Sequence, residues 1–138
     1  MKILVPIDGS DNALKALSFA ANMALGKEDY DITVLFGIAH DSSLVQFFKE
    51  IEEDGNKKAD IAFKKAKEEL EKFQGVNADF IVKTGFEAAD IILKEEYEGG
   101  YDTVVMGSRG LNSLEKWLVG SVSTKVAKHS ACTVILAR

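Results

Sequence analysis

Lys2-Ile3-Leu4-Val5-Pro6-Ile7-Asp8-Gly9-Ser10-Asp11 is the stretch on which the fold turns. Its apolar residues are consecutive, the pattern of a parallel strand covered on both faces rather than a strand with one wet side. Pro6 stands near the end of the run, where a missing N–H donor matters least. Asp8-Gly9-Ser10-Asp11 then breaks the run with turn and helix-starting residues. Beyond it, Leu14, Leu17, Ala21, Ala24 and Leu25 recur at the three-and-four spacing of a helix face. Ser10 or Asp11 can accept hydrogen bonds from the free amides of the first turn, and Gly26 suits the exit. The chain therefore opens as a buried strand followed by a helix.

The same alternation continues. Ile32–Ala39 predicts a second strand, and His40–Asn56 reads as a loop with a short helix. A long helix follows, with Ala59, Ala62, Phe63, Ala66, Leu70 and Phe73 on one stripe and Gly75 at its end. Ala78–Lys83 is a third strand; Thr84-Gly85 turns into a helix carrying Ala88, Ala89, Ile92 and Leu93, closed by Gly99-Gly100. Thr103–Met106 is a fourth strand that stops at Gly107. A polar loop, with a helical turn near Leu114–Leu118, leads to a helix from about Val122 to His129 and a last strand, Cys132–Ala137. Strands joined by helical crossovers pair in parallel, and right-handed crossovers put helices on both faces. The expectation is one domain over residues 1–138: an α/β, doubly wound, five-stranded parallel sheet of order 3-2-1-4-5.

Composition agrees and excludes several classes. With 138 residues, 46% of them apolar and 28% charged, the chain suits one globular domain. No apolar run approaches the roughly 18 residues of a membrane span, and Asp8 comes too early for a signal peptide. The single cysteine, Cys132, rules out an internal disulfide, and His40 and His129 are too far apart to suggest a metal cluster. A cytoplasmic protein is expected. Charge is uneven within the total of −5: from Gly107 onward five basic residues face one acidic residue, Glu115. An acidic body with a basic final quarter argues against nucleic-acid or membrane-surface binding, while leaving room for a small anion near the C-terminal segment.

In an open parallel sheet, ligands bind beyond the carboxyl ends of the strands, where strand order reverses. Two segments of unusual composition fall there: Pro6–Ser10 after the first strand and Gly107-Ser108-Arg109-Gly110 after the fourth. The second continues as Gly107-x2-Gly110-x9-Gly120-Ser121, three glycines around a loop that enters a helix. Glycines let main-chain amides approach a ligand, and a helix N-terminus presents unpaired amides at the positive end of its dipole. Ser121 and Ser123 add hydroxyls, and Arg109 a mobile positive charge. Each part suits a phosphate. Plainer roles exist too: glycines serve many turns, Ser121 can cap the last helix, and Asp8 can be a turn aspartate.

Together, Ile3–Ser10, Val104-Val105-Met106-Gly107 and the G-x2-G-x9-G-S loop resemble the universal stress protein family, over essentially the whole chain from Lys2 to Arg138. The resemblance implies a Rossmann-like domain of the ATP-binding branch, which carries that loop. It implies that Pro6 and Asp8 lie beside the nucleoside, and that Met106 and Gly107 line its ribose and adenine side. Gly110, Gly120, Ser121 and Val122 would hold the phosphates, with Ser123 close by. Gly37 aligns with a position, usually valine in the family, whose main chain meets the adenine edge; losing that side chain should weaken packing on the base. Phe86 stands where the family often has proline. ATP with Mg²⁺ or Mn²⁺ is the implied ligand, Asp8 being placed for the outer shell of the ion. A homodimer through Cys132–Ala137 is implied as well, and an unpaired sheet edge invites such pairing.

The function expected is a regulatory nucleotide-binding module in stress response, because no residue of the loop has an evident general-base partner. The alternative is a slow ATPase or phosphotransferase using Asp8 to orient the attacking group. A phospho-acceptor signalling domain fits poorly: Asp8 and Asp11 are not adjacent, and Thr84-Gly85 follows the third strand. No Walker GxxxxGK[ST] is present, and no G-x-G-x-x-G follows the first strand. Cys132, read as part of a buried strand, is a packing residue rather than a nucleophile.

Overall fold

The computed structural model describes residues 1–40, 42–109 and 119–138. The strands are β1 (Lys2–Ile7), β2 (Asp31–Ala39), β3 (Ala78–Gly85), β4 (Thr103–Gly107) and β5 (Thr133–Ala137). The helices are α1 (Asp11–Ala24), α2 (Phe48–Leu70), α3 (Ala88–Gly99) and α4 (Ser121–His129). The sheet runs β3-β2-β1-β4-β5 with every neighbouring pair parallel. Among the described residues no helix is long and apolar enough to cross a membrane.

Consecutive apolar residues of the central strands alternate between two cores. Ile3, Val5, Val34, Phe36 and Val105 pack against α1 and α2, while Leu4, Leu35, Val104 and Met106 pack against α3 and α4. Ile3, Leu4, Val5, Val34, Val104 and Val105 are wholly buried. Both faces of β1 are thus covered, as its unbroken apolar run requires.

Helix α1 starts where expected: the Ser10 hydroxyl accepts the amide of Ala13 at 3.2 Å. Its buried stripe is Ala13, Ala16, Leu17, Ala20, Ala21 and Ala24. Leu25, expected on that face, is a correction: it lies past the last helical residue and is half exposed. Strand β3 runs two residues further than predicted, through Gly85, because β2 extends to Ala39 and pairs with it there. Cys132 precedes β5 rather than belonging to it, and is half-buried.

The largest correction concerns His40–Asn56. After a 3-10 turn over Ser42–Phe47, α2 runs without interruption from Phe48 to Leu70, so most of the expected loop is helix. Gly55, within the segment expected to be a loop with a short helix, is buried on the stripe Gly55, Ala59, Ala62, Ala66, Leu70. A β-carbon there would lie 2.7 Å from Cδ1 of Ile38 on β2. The glycine is therefore a point of close approach between helix and sheet.

Candidate functional site

The two halves of the sheet part at their carboxyl ends. β1 and β4 are in register at Ile3↔Thr103 and Leu4↔Val104, whereas β1 stays paired with β2 as far as Ile7. Pro6, with no N–H to give, stands past the last β1–β4 pair. A cavity of about 580 Å³ opens at this point, within the range of roughly 300–1,000 Å³ usual for small-molecule sites.

The cavity lining is mostly apolar, with Pro6, Leu35, Gly37, Met106, and Ala88 and Ile92 of α3 among it. Its polar residues are Asp8, Arg109, Ser121 and Ser123, joined by Gly107, Gly120 and Val122. Every candidate named from the sequence is thus on one cavity wall except Gly110, which, like the helical turn expected near Leu114–Leu118, lies outside the described residues.

The polar part is built by main-chain ties. The Ser108 amide donates to Ala137 O at 2.9 Å, and the Gly120 amide to Ser108 O at 2.7 Å. These bonds hold the chain beyond β4 between the end of β5 and the start of α4. They also occupy the amide of Gly120, so the amides that remain for a ligand are those of Ser121, Val122 and Ser123, the first turn of α4. Gly120 is the N-cap and makes no side-chain cap bond. Ser121, read as a possible cap, is instead the first helical residue. The Ser123 hydroxyl is buried and donates to Gly107 O at 3.0 Å, so its proton is directed at the strand end rather than into the cavity.

The glycines differ in what keeps them bare. A β-carbon at Gly107 would stand 3.0 Å from the carbonyl carbon of Asn12, against the first turn of α1. At Gly120 the nearest atom would be Ser108 O at 3.5 Å, an ordinary contact, and φ is −66°. Among the described residues, packing accounts for Gly107 and does not demand Gly120.

Arg109 carries the second unexplained feature. Its Nε is buried and has no hydrogen-bond partner among the described residues, although buried donors are nearly always paired. Its carbonyl accepts from the Asn12 amide side chain at 3.3 Å, which fixes the main chain but not the guanidinium. Asp8 Oδ1 accepts the Ser10 amide at 2.9 Å while the residue stays exposed, and Gly9 turns the chain at φ +86°. The turn role of Asp8 and its place on the cavity wall therefore coexist.

A model of the universal stress protein family matches residues 1–138. The chain belongs to the universal stress protein family. It is 34% identical to Universal stress protein YxiE of Bacillus subtilis, covering 99% of this chain and 98% of that one. Among solved structures, universal stress protein UspA from Lactobacillus plantarum superposes with a TM-score of 0.84 at 26% identity, over 100% of this chain and 97% of the other. The universal stress protein from Archaeoglobus fulgidus in complex with dAMP has the same fold, with a TM-score of 0.77 at 22% identity over 100% and 98% of the two chains.

In this universal stress protein an ion-pair clamp flanks the cavity. Lys125 of α4 donates to Glu87 at 2.8 Å and lies 3.0 Å from Asp90, both at the start of α3. Those two carboxylates, Glu87 first, raise the lysine pKa. The clamp joins the helices that carry Ala88 on one side and Ser121 and Val122 on the other. Burial pushes the Cys132 thiol up, which suits packing and disfavours a thiolate. Sequence reasoning did not find Leu35, Ala88 and Ile92 on the cavity wall. They are ordinary apolar residues, and only the register of β2 and the seating of α3 bring them there.

Proposed function

We propose that this universal stress protein is a regulatory ATP-binding module, cytoplasmic, whose output is conformation or assembly rather than turnover. The observation that carries the reading is the polar end of the cavity. Among the described residues, an uncapped helix start follows a glycine that packing does not require, beside an arginine whose buried Nε lacks an acceptor. A phosphate supplies what each lacks: acceptors for the amides of Ser121, Val122 and Ser123, an anion at the positive helix end, and a partner for Arg109. The apolar lining then receives the base, Met106 and Gly107 border the nucleoside, and Asp8 stands within the ribose region. The Archaeoglobus fulgidus relative in complex with dAMP supports an adenine nucleotide on this fold. Gly110 belongs to the same proposed cradle.

Among the described residues no group of three or more His, Cys, Asp or Glu could hold a metal ion. A Mg²⁺ or Mn²⁺ would therefore arrive on the triphosphate, with Asp8 in its outer shell. Mass spectrometry of small molecules released on denaturing the freshly purified protein tests the whole reading. An adenine nucleotide near one equivalent is expected; a different class of metabolite, or none even after incubation with ATP, would remove it.

The reading includes a homodimer through β5, the edge strand beyond β4. Its free side offers unpaired main-chain groups, and Val134 and Leu136 are only half-buried. Val134→Lys or Leu136→Lys should sediment as a monomer where the unmodified chain sediments as a dimer. Dimers that persist in both variants would put the interface elsewhere.

A further inference from the structure

Helix α3 brings Ala88 and Ile92 to the cavity wall, but Ile91 points down into the sheet and is 4% exposed. It fills a notch made by two glycines. Gly37 pairs with Lys83 and Ala39 with Gly85, so Gly37 and Gly85 lie on adjacent strands and on one face. A β-carbon at Gly37 would stand 3.3 Å from Ile91 Cδ1, and one at Gly85 would stand 2.7 Å from Ile91 Cγ1. Side chains at both positions would lift α3 from the sheet and move Ala88 and Ile92 with it.

Gly37 also lines the cavity. No side chain at position 37 stands between Ile91 and that space, and the end of Ile91 lies just beyond the place a β-carbon would take. Ile91 thus packs directly against the bare position. Ile91 does not itself line the cavity; it backs Gly37, while Ala88 and Ile92 are the α3 residues on the wall.

We propose that Ile91, packed behind the cavity-lining Gly37, is a specificity-determining residue for the cavity. Seated in the Gly37–Gly85 notch, it admits an unsubstituted purine and excludes purines with bulky groups on the edge facing Gly37. The proposal rests on the nucleotide-binding reading. Shortening Ile91 opens a space that joins the cavity past Gly37, because nothing at that position closes it.

The test is calorimetric titration of the full chain, Ile91→Ala and Ile91→Val with AMP and with AMP carrying a benzyl group at N6 or a phenyl group at C2. The unmodified chain should bind both analogues at least about tenfold more weakly than AMP, as a size mismatch in an apolar pocket is worth roughly 10–200-fold. Ile91→Ala should bring at least one analogue to within about threefold of AMP, with Ile91→Val between the two. Ile91→Val removes one carbon and keeps the test open if the alanine variant does not fold. AMP binding with an analogue-to-AMP ratio unchanged in the folded variants overturns the role of Ile91 and leaves nucleotide binding standing. So does an unmodified chain that takes both analogues as readily as AMP. A chain that binds no adenine nucleotide overturns both.

Discussion

Gly120→Val should weaken adenine-nucleotide binding by at least about 100-fold while moving the ligand-free melting temperature by only a few degrees. The two halves of that expectation have separate causes. On the protein side, Gly120 has an ordinary φ of −66°, and the nearest described atoms to a β-carbon would be Ser108 O at 3.5 Å, Arg109 Cα at 3.7 Å and Ser123 Oγ at 3.8 Å. Valine is a poorer N-cap than glycine, at a cost of about 1 kcal/mol or less. On the ligand side, the branched side chain stands at the mouth of α4, before the amides of Ser121, Val122 and Ser123. Hydrogen bonds to a charged group contribute about 1.5–3 kcal/mol each, and losing two accounts for the expected factor. Thermal stabilisation by ATP, compared between the two proteins, is the measurement. Equal stabilisation would place the phosphates elsewhere in the molecule.

Gly55→Val should do the reverse, lowering stability by about 3 kcal/mol and the melting temperature by on the order of 10 °C. A β-carbon at Gly55 would lie 2.7 Å from Ile38 Cδ1 and 2.8 Å from both Cγ atoms, so it overlaps the branched root of that side chain as well as its end. Ile38 is itself 5% exposed and has nowhere to go. Replacing glycine inside a helix returns at most about 1 kcal/mol of backbone propensity, which does not offset the overlap. The double variant with Ile38→Ala should recover part of the loss, because the two residues are coupled through one contact. Denaturant unfolding of the four proteins in the cycle measures this. Additive losses would mean that Gly55 is not held bare by Ile38.

Asp54-Gly55-Asn56 shows where sequence reasoning reaches its edge. The tripeptide has the composition of a turn, and its place within a helix is decided by an isoleucine 17 positions earlier on β2. The strands were legible because burial on both faces leaves consecutive apolar residues, as in Ile3–Ile7 and Thr103–Met106. The helices were legible from stripes such as Ala59, Ala62, Ala66 and Leu70. The polar side of the candidate site was legible because glycines, serines and an arginine at strand ends are chemically conspicuous. Its apolar side was not, since Leu35, Ala88 and Ile92 look like any core residues until the chain has folded.

The sequence by itself determined the order of elements, the parallel doubly wound sheet and the crevice beyond β1 and β4, because apolar period and crossover handedness are local properties. Which glycines serve packing and which leave an approach open was decided only in three dimensions. Gly107 is bare against Asn12 of α1, Gly55 against Ile38, and Gly37 and Gly85 against Ile91, each through a contact between distant parts of the chain. Gly120 meets no such neighbour among the described residues. A missing β-carbon looks the same in every stretch of sequence, and its reason lies in whatever the fold sets opposite it.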